Sequence, residues 1–147
     1  YEHSQIGYNY RMSNISAGIG RGQMQVLDKW VEIRRSIYAT YFTALNSLPI
    51  NFVEEPEDIF FSNRWLTTIL FESNEKRDEI RHSLESLNIE SRALWKPMHL
   101  QPIFKHFPYY GNKLSEQLFE VGLCLPSGSN LSEQEQELII KTIKSSF

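Results

Sequence analysis

The sequence predicts an α/β fold, a two-layer α+β small domain. A long N-terminal helix feeds a small sheet with a β-α-β unit, and C-terminal helices close it. Three observations predict it. Apolar residues recur at three- and four-residue steps from Val26 to Leu48. The run from Trp65 to Phe71 alternates with period two, and a helical pattern separates it from a second, shorter β-like run. Helical and strand periods in that order are what such a domain requires. At 147 residues the chain has room for one domain, or is one piece of a longer protein. An apolar share of 41% is enough for a core and excludes a disordered segment.

The first element is a helix over residues 14–48. Val26, Trp30, Ile33, Ile37, Tyr41, Ala44 and Leu48 form one apolar stripe, and the charges from Asp28 to Arg35 fall mostly off it. Ser13 or Asn14 can cap its start, and Pro49 forbids continuation. A helix of that length would span roughly 45–50 Å, long enough to link two bodies or to line a subunit interface. Gly18, Gly20 and Gly22 interrupt its first turns, each at a cost of up to about 1 kcal/mol against Ala. A phosphate-cradling loop would explain them, but no strand precedes and the dinucleotide fingerprint is not met. Close approach of another backbone is the simpler reason.

Residues 51–53 read as an edge strand, and residues 64–72 as the clearest strand, apolar on both faces and so expected to be covered on both sides. Ser73 or Asn74 then caps a helix carrying Ile80, Leu84 and Leu87. Residues 89–94 form the second strand of the β-α-β unit. Asn112 caps a short helix with Leu114, Leu118 and Val121, which Gly122 is expected to end as a left-handed cap. Ser132 and Glu135 form a capping box that opens the last helix, with Leu138, Ile139 and Ile143 on its apolar side.

Composition narrows function. A net charge of −3 with no basic block argues against a nucleic-acid surface. The longest uncharged stretch, residues 36–53, is broken by Ser, Thr, Asn and Pro, so it is no membrane span, which needs about 20 largely apolar residues. The N-terminus has no signal-peptide pattern and no starting Met, and Cys124 has no cysteine partner. The reading is a fragment of a cytoplasmic protein, and the two glycosylation sequons, at Asn14 and Asn130, carry no meaning there. Cys124, flanked by Leu123, Leu125 and Pro126, reads as a buried structural thiol. His99 and His106 with Glu116 or Glu120 reproduce no zinc spacing, so no metal is expected. No Gly-x-Ser-x-Gly elbow is present.

Two irregular segments hold the polar and aromatic candidates. In residues 7–13, Asn9 offers amide donors and Arg11 a guanidinium fork for phosphate or carboxylate. In residues 94–102, Trp95 and Lys96 could bracket a ring or an anion, and His99 is either a titratable group or a structural hydrogen-bond partner.

These segments carry a resemblance. Gly7-Tyr8-Asn9-Tyr10-Arg11-Met12-Ser13, followed by Ala17-Gly18-Ile19-Gly20 and Gln23-Met24-Gln25-Val26-Leu27-Asp28, resembles the nucleotide-sugar aminotransferases of the DegT/DnrJ/EryC1/StrS family. Arg92 to Pro102 is similar to the loop of members that aminate C4 of UDP-linked 4-keto-6-deoxy-N-acetylhexosamines, and Cys124 to Ser127 with Leu131-Ser132 resembles the closing motif. The Gly18/Gly20/Gly22 cluster departs from the Ala-rich version usual there.

The resemblance implies a fold-type I enzyme using pyridoxal 5′-phosphate (PLP). It would act as a homodimer and move an amino group from glutamate to a nucleotide sugar for surface polysaccharide or glycan synthesis. None of the lysines stands in the family's cofactor-anchoring motif. The chain is therefore expected to be the C-terminal part: residues 1–13 an active-site loop, 14–48 the connecting helix and 49–147 the small domain. Alone it should be inactive and hold no PLP. By the same resemblance, Asn9 would reach the cofactor phosphate of the neighbouring subunit, while Arg11, Trp95, Lys96 and His99 would border the substrate. The contrasting expectation is a stand-alone α/β interaction or regulatory module whose Tyr/Asn/Arg loop is a partner surface.

Overall fold

In the computed structural model, which describes residues 6–57 and 59–147, the described residues form five helices and a four-stranded antiparallel sheet. The first five residues of the expected 1–13 loop lie outside the described residues. The α/β class and the two-layer arrangement are as expected. The long helix is not: it is two helices, α1 (Asn14–Met24) and α2 (Leu27–Leu45). They break at Val26, whose backbone (φ −122, ψ 3) leaves the helical region. The Ser13 side chain caps α1 by accepting from Ser16 N–H, as read from the sequence. α2 ends short of Pro49 in a turn closed by the Leu48 N–H on the Leu45 carbonyl.

The strands are β1 (Asn51–Phe52), β2 (Thr67–Leu70), β3 (Arg92–Ala93) and β4 (Gly122–Leu125), in the order β1-β2-β4-β3. Helix α3 (Asn74–Glu85) links β2 to β3, and α4 (Leu114–Val121) runs directly into β4. The β-α-β unit is therefore present but split, with β4 inserted between its two strands and antiparallel to both. Gly122 is no left-handed cap. Its φ of −91 and ψ of 140 are extended, and it opens the central strand. β2 is shorter than residues 64–72 because Arg64 has a positive φ of 49, which turns the chain before pairing begins. β3 likewise covers only part of residues 89–94, although the Leu94 N–H still bonds the Gly122 carbonyl.

Thr67 and Ile69 of β2, with Leu123 and Leu125 of β4, bury one sheet face against α2, α3 and α5 (Glu133–Lys144). Tyr41, Leu45, Ile80, Leu84, Ile139 and Ile143 fill that layer. Full burial of one such aliphatic side chain contributes about 1.5–3 kcal/mol relative to leaving it exposed. The other face, with Thr68 and Leu70, is only half-buried, so the expected two-sided cover is made on one side by the described residues. Gln136 Nε2 donates to the Ile37 carbonyl (2.8 Å) and ties α5 to α2, while Tyr41 Oη donates to the Pro126 carbonyl (3.0 Å). Ser73 caps α3, and the Ser132–Glu135 capping box opens α5 as expected. α4 starts from Lys113 in the left-handed region (φ 63), with Asn112 Oδ1 accepting from the Leu114 N–H (3.3 Å).

Candidate functional site

On the half-buried side, the ends of β3 and β4 meet the turn before β2. There Trp65, Trp95, Arg92, Leu66, Pro126 and Ser127 line a groove of about 340 Å³. The two indoles stand 5.9 Å apart, tilted by 31°. Both are more than half exposed, so the indoles stand toward solvent rather than in the core. Trp65 is held from behind, because Arg34 Nη1 donates to its carbonyl (2.7 Å). The floor is fixed by Ser127, whose hydroxyl accepts from the Thr67 N–H (2.9 Å) and donates to the Leu125 carbonyl (2.8 Å). Cys124 lies buried beside it, and burial pushes its thiol up, as suits a structural rather than a reactive group.

The candidates in residues 94–102 stay together. Short 3-10 turns at Met98–Leu100 and Pro102–Phe104 follow the buried Pro97. The Lys96 side chain is exposed next to Trp95, and its carbonyl accepts from Gln101 Nε2 (3.5 Å). His99 turns the other way. Its Nε2 donates to Glu116 Oε1 of α4 (3.0 Å), and its ring stacks on Tyr109 at 3.9 Å.

Asn9 and Arg11 form a separate group. Residues 6–13 are exposed, and the Arg11 N–H donates to Asn9 Oδ1 (2.9 Å) in an Asx-type turn. That bond leaves the Asn9 NH₂ as its outward donor, with the Arg11 guanidinium nearby in sequence. Among the described residues no hydrogen bond joins this segment to the Trp95 loop. Two donors of this kind suit the phosphate end of an anionic cofactor. Of the seven lysines six are exposed, and Lys76 is committed to Glu79 and the Ser146 carbonyl. No three His, Cys, Asp or Glu side chains converge as a metal site among the described residues.

Trp65 was not singled out from the sequence as a site residue. In a strand of period two it reads as one more inward position, and only its place beside Trp95, thirty residues later, sets it apart.

Comparison with known proteins decides the family. The profile of the DegT/DnrJ/EryC1/StrS aminotransferase family matches residues 1–144. The chain belongs to this family. It is 45% identical over 148 residues to a Bacillus subtilis protein with the provisional name pyridoxal phosphate-dependent aminotransferase EpsN, covering 97% of this chain and 38% of that one. It is 35% identical over 143 residues to the GDP-perosamine synthase of Escherichia coli O157:H7, with the same two coverages. The solved DegT DnrJ EryC1 StrS aminotransferase of Brucella abortus superposes with a TM-score of 0.83 at 30% identity, over 99% of this chain and 38% of that one. This member of the DegT/DnrJ/EryC1/StrS family thus spans about two fifths of the length of the relatives it matches. The family expected from the motifs is the family found, and PLP-dependent amino transfer to sugars is its chemistry.

Proposed function

We propose that this chain is the C-terminal part of a PLP-dependent aminotransferase that moves an amino group from glutamate to C4 of a UDP-linked 4-keto-6-deoxy sugar, for a surface polysaccharide or glycan. The observation that carries the reading is the family match across residues 1–144, with both long motifs in order. Residues 1–13 then serve as an active-site loop, α1 and α2 as the connector, and residues 49–147 as the small domain. The enzyme acts in the cytoplasm as a homodimer, and Asn9 donates its amide to the PLP phosphate of the neighbouring subunit, with Arg11 beside it. When bound, PLP carries the amino group between donor and acceptor. The Trp95 indole packs on the sugar or base, and the Lys96 ammonium meets the diphosphate. The lysine that anchors the cofactor belongs to the portion of the relatives that this chain does not span. These 147 residues alone are therefore inactive and retain no PLP.

The test is amino transfer by the full-length protein, followed as 2-oxoglutarate released from glutamate with UDP-, GDP- and dTDP-linked 4-keto-6-deoxy sugars. Fastest turnover with the UDP sugar is the expected result. A PLP-loaded protein that aminates none of them refutes the reading, and a preference for GDP or dTDP corrects its nucleotide. Replacing Asn9 by Ala removes a hydrogen bond to a charged group, about 1.5–3 kcal/mol, and should weaken PLP retention roughly 10- to 150-fold. Unchanged cofactor affinity in a titration would remove Asn9 from the phosphate site.

A further inference from the structure

We propose that His99 is a positioning residue. It pins the Trp95 loop to α4 and so sets where the Trp95 indole stands against Trp65, in place of touching a substrate itself. The inference rests on the aminotransferase reading only for what the two indoles meet.

Three features of His99 point away from a ligand. Its side chain is 19% exposed, against 65% for the whole of Trp95. Its Nε2 is spent on Glu116, and one ring face is covered by Tyr109 at an interplanar angle of 27°. Nδ1 and the opposite ring face are what remain of it. The partners are themselves fixed. Tyr109 Oη accepts from the N–H of Lys113 (3.0 Å), the left-handed residue that starts α4, and Glu116 lies in the first turn of α4. Gly111 makes room for this arrangement, since a Cβ there would stand 2.5 Å from the Tyr109 hydroxyl oxygen.

The other end of the loop is fastened to the same piece of chain. The Leu94 N–H donates to the carbonyl of Gly122 (3.3 Å), which follows α4 without a break. Between the two anchors the loop is cross-tied. The Leu100 N–H donates to the Pro97 carbonyl (3.0 Å), the Gln101 N–H to the Met98 carbonyl (3.0 Å), and Pro97 is buried. Trp95 and Lys96 project from this frame into the open. A side chain held at both ends by one rigid element loses little freedom on binding, which is how a remote residue supports affinity. His99 supplies the only side-chain tie from the loop to α4 among the described hydrogen bonds, so its removal frees one end.

The experiment uses the full-length protein and two readouts. Near-ultraviolet circular dichroism of Trp95→Phe, subtracted from the parent, isolates the signal of the Trp65–Trp95 pair. Steady-state kinetics then give KM and kcat for the nucleotide sugar. His99→Ala and Glu116→Ala should each abolish most of the pair signal and raise KM by a similar factor, about tenfold for a lost hydrogen bond of ordinary strength, with kcat little changed. The double variant should be no worse than the worse single, because both act through one link. Glu116→Gln, which keeps an acceptor oxygen, should restore both readouts. If the alanine variants fail to fold, Tyr109→Leu removes the stacking ring and its bond from the Lys113 N–H but leaves the His99–Glu116 link in place, and should give a partial loss of the same signal. An intact pair signal in His99→Ala overturns the proposal. So does a raised KM in His99→Ala with Glu116→Ala silent, which would place His99 on the ligand. The dichroism needs no substrate, so a protein that turns over no nucleotide sugar sinks the functional reading while leaving the positioning test decided.

Discussion

Arg64 holds a backbone conformation (φ 49) that costs a non-glycine residue roughly 1–2 kcal/mol. Its side chain offsets that cost. Nη1 donates to the Val53 carbonyl (2.9 Å), Nη2 pairs with Glu55 Oε2 (3.2 Å), and the guanidinium lies 3.8 Å over the Tyr38 ring. Arg64→Ala keeps the strain and loses all three contacts, so it should destabilise by about 2–4 kcal/mol in urea unfolding. Arg64→Gly relieves the strain and should cost less. A loss within experimental error for the Ala variant would show that the cluster contributes nothing. Glu55, at the centre, is held well below the ordinary 4.5, to about 2, chiefly by the hydrogen bond from Arg35 Nη1 and then by the Ser62 N–H. The folded state therefore binds this proton less readily than the unfolded chain does. The resulting stability is fully present above pH 4.5 and is lost as pH falls toward 2. Urea midpoints measured across that window should fall more steeply for the parent than for Glu55→Gln, and parallel curves would remove Glu55 as the cause.

The junction of α4 and β4 shows why some elements were legible in the sequence and others were not. The Ser73 cap, the Ser132–Glu135 capping box and most of the stripes of α2, α3 and α5 were readable because each uses local chemistry: Ser73 bonds Lys76 and Ser132 bonds Glu135, three residues away, although Leu87 and Leu138, expected on the apolar sides, stand exposed. β4 was not readable. It is four residues long, all four are buried, and it leaves α4 without a turn, so neither alternation nor a breaker marks it. Gly122 suggested a helix end but not its purpose, which is space. A Cβ there would press on Leu94 and stand 2.5 Å from the Leu118 carbonyl. The break at Val26 carries no local mark, since the apolar stripe starts there and no proline or glycine stands at residues 23–28. The candidate site divided in the same way. Residues 94–102 declared themselves as one irregular motif, whereas the Trp65 partnership depends on a tertiary turn at Arg64. Gly122→Ala should cost about 1–3 kcal/mol as the junction shifts, measured by thermal unfolding, although φ at this position suits alanine. A neutral substitution would mean that Leu94 and the end of α4 yield freely.

At the scale of the whole molecule, α1 stands out because it buries nothing. Ile15, Ile19 and Met24 are more than 60% exposed, and a Cβ at Gly18, Gly20 or Gly22 would meet nothing within 4 Å. The close backbone approach expected from those glycines is made by no described residue. An apolar helical face of this kind favours association when its cover is missing. Light scattering on the 147-residue chain should show mass rising with concentration, and Ile19→Glu should suppress the rise. A strict monomer at high concentration with α1 still helical by hydrogen exchange would count against it.

The strand order β1-β2-β4-β3 has a consequence for how the protein is made. The central strand is the last to leave the ribosome, and its partner Thr67 precedes Leu125 by fifty-eight positions. Until β4 emerges, β3 has no neighbour at all, and β2 shows one unpaired edge, the kind of edge that templates aggregation. Closing so long a loop before any contact repays it makes sheet formation a late, non-local event. A nascent chain interrupted before Gly122 therefore lacks more than its tail: it cannot assemble the sheet on which the Trp65–Trp95 groove stands, and it is a natural client for chaperones and proteases.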